Sequence, residues 1–232
     1  MSLVRVVLVL VQAAFNELAC TPPNPTPEKG RYHTDTHVLV RIAPLILRIH
    51  QLLLRLCTLF EVLVYLAALP QLAALSPSPT LWPAPPPALH PTPLFALGVL
   101  FVVLGALLRL ACFRALGPLF TFALSISPSH RLVTAGPYAV VRHPAYTGSL
   151  AIVAGLAASH LTAGSWIVEA LLGGGWQARC VGAGAGAVWW AWTLGIGFSR
   201  VRAEDAQMRA LFSAEWDAYA ARVPCWWIPG VV

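Results

Sequence analysis

Hydrophobic residues in this chain gather into long runs separated by polar or proline-rich connections. A run of about 20 apolar residues is long enough to cross the hydrocarbon core of a bilayer as a helix. The pattern predicts five such spans. The first covers about 3–20 and gives way to a polar, Pro-rich connection over 21–36. The second covers about 45–69 after an amphipathic lead-in from Val38, and the third, about 94–113, follows a Pro-rich loop over 76–93. The fourth begins at Pro144 and runs to about Leu161, or to Leu172 if the break at Gly164-Ser165 is tolerated. The fifth covers about 181–198. A charged, helix-forming segment runs from Arg200 to Arg222, and an apolar tail covers 224–232. The expected fold is an all-α integral membrane protein of about five transmembrane helices. It divides into residues 1–113, with three spans, and residues 114–232, with a polar loop, a two-helix hairpin and a further helix.

Composition agrees with this pattern. Apolar residues make up 58% of the 232, charged residues 10%, and the mean hydropathy is +0.71; a soluble domain carries about 25% charged residues. The net charge of +6 does not point to nucleic acid, because the arginines adjoin apolar spans rather than a solvated face. It reads as topology instead. Residues 21–41 carry Lys29, Arg31 and Arg41; residues 109–143 carry Arg109, Arg114, Arg131 and Arg142; and the segment after the fifth span adds Arg200, Arg202, Arg209 and Arg222. Residues 70–93 have no Lys or Arg, and 172–181 only Arg179. Five spans put every charge-rich segment on one face, which the positive-inside rule makes cytosolic. The first 20 residues have a signal-like apolar run, but no A-x-A-like site follows cleanly, so a retained span is expected. Cys20, Cys57, Cys112, Cys180 and Cys225 are scattered, without metal-ligand spacing or a disulfide framework.

Two features within the spans need weighing. Arg48 and Arg55 share a helix face with Glu61 beyond them. They read either as snorkelling arginines and a satisfied helix–helix hydrogen bond or as the polar lining of a substrate entrance. Gly182 and Gly186 form a GxxxG, which reads as close helix packing because the strand and spacing of a dinucleotide loop are missing.

The densest chemistry lies in residues 136–150, a polar hinge between apolar spans. Gly136-Pro137 signals a turn. His143 precedes a proline and is pushed out of the helical region, while Pro144 suits a first helical turn. Free N–H groups at that helix start, with Arg142 and His143 beside them, favour an anion, and the rings of Tyr138 and Tyr146 can face a cation. The hinge fits a ligand bearing both charges or, equally, an interfacial aromatic-and-arginine anchor. Arg200 and Glu204, four apart, share a helix face on the same side of the membrane.

Taken together, the two segments resemble the isoprenylcysteine carboxyl methyltransferase family. The first carrier is His130-Arg131-Leu132-Val133-Thr134-Ala135-Gly136-Pro137-Tyr138, followed by Arg142-His143-Pro144-Ala145-Tyr146-Thr147-Gly148. The second is Arg200-Val201-Arg202-Ala203-Glu204-Asp205, then Leu211-Phe212, Glu215-Trp216, Tyr219 and Arg222-Val223-Pro224. The resemblance covers about 120–230. It implies a multi-pass enzyme of the endoplasmic reticulum membrane, facing the cytosol, that uses S-adenosylmethionine to methylate the C-terminal carboxylate of a prenylated cysteine in CaaX-processed proteins. It also implies that His130, Arg131, Leu132, Val133, Tyr138, His143, Pro144, Ala145, Tyr146 and Glu204 form a cofactor pocket. Arg200 would meet the substrate carboxylate as the catalytic residue, and no metal is implied. Ala123 stands where a relative has a polar cofactor contact, Ser213 replaces the usual Gly after Phe, and Trp216 replaces a Tyr. A methyltransferase for phospholipid or another small lipid is an alternative. A second is an NADPH-dependent sterol reductase, whose closing run is similar to Trp216, Tyr219, Val223-Pro224 and Ile228-Pro229; a non-enzymatic membrane scaffold is the third.

Overall fold

A computed structural model describes residues 2–25, 30–32, 38–69, 89–127 and 129–231. Lys29 and most of the Pro-rich loop over 76–93 lie outside the described residues. Six α-helices occur among them: α1 (Leu3–Cys20), α2 (Val38–Ala67), α3 (Pro93–Leu116), α4 (Pro144–His160), α5 (Gly175–Phe212) and α6 (Ala214–Arg222). Short 3-10 turns cover Gly117–Leu119 and Gly136–Ala139, and a π-helical turn covers Ile167–Leu171. The only strand-like feature among the described residues is an isolated bridge between Arg31 and Ser125, which lays the α1–α2 connection across the segment after α3. Leu3–Cys20, Arg41–Ala67 and Pro93–Leu119 are long and apolar enough to cross a membrane; α4 and α5 do not meet that measure.

Local chemistry explains the helix starts. Ser2 and Thr92 accept the N–H groups of Arg5 and Phe95, filling donors that a first helical turn leaves free. Pro93 and Pro144 occupy first-turn positions, where a missing N–H costs nothing. Two boundaries differ from the sequence expectation. The lead-in from Val38 and the second span form one helix that continues through Pro44. The fifth span and the charged segment to Phe212 are likewise one helix, which breaks only at Ser213. The fourth helix stops at His160, so the longer alternative to Leu172 is not realised.

Helices α3 and α4 pack antiparallel through two reciprocal glycine contacts. A Cβ on Gly98 or on Gly155 would meet the other's carbonyl oxygen within 3.0 Å, and the same holds for Gly105 and Gly148. Side chains at these positions would force the backbones apart. The GxxxG of α5 is used in the same way, with Gly182 against the Leu161 carbonyl and Gly186 against Ala157. The core between the helices gathers Ala19, Leu54, Val102, Ala106, Ile152 and Leu156.

Away from the hinge, α1 is fastened by a fully buried charge pair. Arg5 donates through Nε and Nη2 to both oxygens of Glu61, at 2.8 and 2.9 Å, and both side chains are 0% exposed. Arg5 also reaches the His90 carbonyl at 2.9 Å and lies over the Phe95 ring. Glu61 is therefore a charge partner across helices. Arg55 bonds Glu17 at the surface, and Arg48 and Arg55 both border the large cavity described below.

Two outcomes follow for purified protein in detergent. Ser213, at φ 45° and ψ −113°, is the only non-glycine with positive φ among the described residues. Ser213→Gly removes that strain and should stabilise by about 1 kcal/mol, read as a rise in melting temperature. Glu61→Leu alone strands a buried guanidinium and should cost about 3–5 kcal/mol. Arg5→Met with Glu61→Leu should recover most of the loss, and a double variant no better than the single would contradict the pairing.

Candidate functional site

The end of α3, the start of α4 and the interior of α5 meet at the hinge, and a cavity of about 1100 Å³ opens there. Its wall takes in the loop after α3, the first turns of α2 and α4, and the middle of α5. His130, Arg131, Leu132, Val133, Tyr138, His143, Ala145, Tyr146, Arg200 and Glu204 all border it. Pro144 is buried behind the wall, where it starts α4. Ala123 faces the cavity as well. Trp216 is buried against Tyr219, in a cluster that Leu132 and Phe212 complete.

One hydrogen-bonded chain crosses this wall. Asp205 Oδ1 lies 2.6 Å from His143 Nε2, and His143 Nδ1 lies 3.2 Å from Glu204 Oε2. The Tyr146 hydroxyl donates to Glu204 Oε1 and accepts from Arg200 Nε at 2.9 Å. Arg200 Nη2 donates to the Phe122 carbonyl at 2.6 Å. Arg200 and Glu204 do share a face of α5, yet they meet through the tyrosine hydroxyl instead of as a direct ion pair.

The basic side chains at the start of α4 are engaged by neighbouring groups. Arg142 borders the cavity, but its guanidinium is engaged: Nη1 donates to the carbonyls of Val223 and Pro224, and Nη2 pairs with Asp205 Oδ2 at 3.2 Å. His143 is flanked by two carboxylates. Beside this acidic cluster the cavity wall carries several arginines, of which two stand out. Arg200 is the first. Arg109, which the sequence reading counted only for topology, is the second. Its Nε donates to the Ala19 carbonyl at 2.9 Å, its Nη1 donates to Ser149 Oγ at 2.5 Å, and its guanidinium stands 5.2 Å from the Phe122 ring centroid. No carboxylate among the described residues pairs with it, although it borders the cavity. Arg109 is a half-buried cation held only by neutral groups, a property that no sequence motif marks.

Burial alone would lower the pKa of His143, but hydrogen bonds and charge from Asp205 and Glu204 outweigh it and raise the value to about 9. For the two carboxyls burial acts upward, and the His143 bonds together with the nearby arginines hold both below their usual range. No group of three or more metal-ligating side chains occurs among the described residues. The signs give a pH window. The raised His143 contributes stability that is full below its unfolded pKa of about 6.5 and is lost as pH climbs through about 9. The depressed carboxyls contribute stability present above about 4 and lost as pH falls further. Melting temperature should therefore drop between about pH 7 and 10 in the native protein, and His143→Gln should flatten that alkaline limb. An unchanged limb would place the imidazolium elsewhere.

A comparison with curated proteins and with solved structures returned no match. Residues 97–173 match the family model described as the isoprenylcysteine carboxyl methyltransferase (ICMT) family. The matched third of the chain holds the glycine-locked α3–α4 pair, the hinge and Arg109. Over that third the chain is similar to the isoprenylcysteine carboxyl methyltransferase family.

Proposed function

We propose that this protein transfers a methyl group from S-adenosylmethionine to the C-terminal carboxylate of a prenylated cysteine. The observation that carries the reading is the division of charge in one cavity. Glu204, backed by His143 and Asp205, meets Arg200 at the Tyr146 hydroxyl, and Arg109 adds a second positive charge to the same lining. The acidic and aromatic side suits a methyl donor with cationic ammonium and sulfonium groups. The arginines suit a carboxylate. The wall between α2 and α5, formed by Pro44, Ile46, Leu47, Trp189, Trp192 and Ile196, suits a prenyl chain.

No general base is needed, because an α-carboxylate with a pKa near 3.5 is already ionised at neutral pH. When bound, S-adenosylmethionine would supply a sulfonium methyl, which the carboxylate oxygen would take as the S–CH3 electron pair returned to sulfur. No proton is gained or lost. The residues contribute by positioning, which converts a two-body encounter into an aligned one. Arg200 is held by Tyr146 and the Phe122 carbonyl, so it enters the cavity with a set orientation. Arg109 is braced from Ala19 and Ser149. Charge is neutralised as the reaction proceeds, so a moderate hold on the carboxylate serves better than a tight one. In this reading α4 and the first part of α5 also cross the bilayer, making five spans. The cavity faces the cytosol, in the endoplasmic reticulum, and CaaX-processed proteins are the acceptors.

The reading is tested by methyl transfer to a farnesyl-cysteine analogue. Glu204→Gln, Arg200→Ala and Arg109→Ala should each lower kcat/KM by about 10- to 100-fold, as expected for losing a charged hydrogen bond. Arg200→Lys should recover little, because an ammonium cannot reproduce the planar fork. Near-normal activity in all three would sink the assignment. S-adenosylhomocysteine should protect the protein against thermal unfolding; protection by NADPH instead would favour a reductase.

A further inference from the structure

The charged chain of the cavity wall does not begin in the cavity. Asp205 lies behind it and is held from a segment outside both sequence motifs. Trp226 Nε1 donates to Asp205 Oδ2 at 2.8 Å, on the same oxygen that Arg142 meets. The backbone of that segment is tied to the hinge, with Arg142 N donating to the Cys225 carbonyl and His143 N to the Trp226 carbonyl, both at 2.9 Å. Thr147 Oγ1 adds a bond to the Trp227 carbonyl at 2.7 Å. Trp227 is buried against Phe198 and covers Gly197, so the segment is seated on α5 as well.

These bonds close a ring. Trp226 accepts from the main chain of His143 and donates to the carboxylate that grips the His143 side chain. A His side chain is free to turn about two torsions, and a carboxylate about one more. Fixing Asp205 from behind leaves its other oxygen facing His143 Nε2, which aims Nδ1 at Glu204. We infer that Trp226 is a positioning residue of the methyl-donor pocket, acting through Asp205 on the His143–Glu204 pair that faces the cavity. The inference rests on the proposed function for the identity of the ligand. Trp226 itself does not border the cavity, so its effect is on how tightly the donor is held and not on the carboxylate acceptor.

The experiment is a double-mutant cycle on the full chain in detergent, with Trp226→Phe, Asp205→Asn and the pair together. The readouts are KM for S-adenosylmethionine and kcat with a saturating farnesyl-cysteine analogue. Trp226→Phe keeps the ring but loses the N–H, and should raise KM about five-fold with kcat within about two-fold. Asp205→Asn should raise KM by about 20-fold. Adding Trp226→Phe to Asp205→Asn should change nothing further, since the indole acts only through that carboxylate. Trp226→His, which retains a ring N–H, should recover most of the affinity. An unchanged KM in Trp226→Phe, or effects that multiply in the pair, overturns the inference. If Trp226→Phe does not fold, Asp205→Asn carries the test alone, and an unchanged KM there is equally fatal. A native protein that neither transfers methyl from S-adenosylmethionine nor gains stability from S-adenosylhomocysteine defeats the proposed function and this inference with it. A native protein that does both, with Trp226→Phe indistinguishable from it, defeats the inference alone.

Discussion

The approach of α3 to α4 through paired glycines sets the position of nearly everything else. Inside a bilayer, apolar side chains gain little by leaving lipid for protein, so helices associate through close van der Waals packing. Gly98 against Gly155 and Gly105 against Gly148 let two backbones meet with nothing between them. That contact locks the end of α3 beside the start of α4. The connection between them folds back between two fixed points, and its Phe120 and Tyr138 pack against Phe113 and Cys112 of α3. Arg109, one turn beyond Gly105, reaches Ala145 and Ser149 only because the helices are this close. The cavity is thus a by-product of a helix crossing.

Around that fixed crossing, charge is arranged in opposition and mostly buried. An imidazolium between two carboxylates is a costly group to desolvate, and it persists because every partner is satisfied. Tyr146 joins the acidic set to Arg200, so the two halves of the cavity are coupled by a single hydroxyl. Movement of either half is therefore felt by the other.

Much of this was legible in the residues. Pro93 and Pro144 announce helix starts, Gly136-Pro137 announces its turn, and the hinge motif gathers the side chains that do border the cavity. Ser213 was visible as an oddity, and its positive φ supplies the reason a glycine suits the position. Other features were hidden for physical reasons. The charged stretch after the fifth span reads as a separate surface helix because hydropathy changes there, whereas backbone hydrogen bonding ignores the change and continues to Phe212. Arg109 looked like a topological charge, since its neutral partners lie 36 to 90 residues away. Trp226 sits in an apolar tail with no periodicity to mark it, and only the fold brings its indole to Asp205.

The buried pair of Arg5 and Glu61 has a bearing on how the protein is made. Arg5 lies in the first turn of α1 and its carboxylate partner lies 56 residues later in α2. During synthesis α1 emerges first, bearing a guanidinium that the hydrocarbon core resists by a few kcal/mol. Glu61 must emerge before that charge can be neutralised. The two helices consequently have reason to enter the lipid as a couple, with α1 waiting at the interface or within the insertion machinery for its counter-ion.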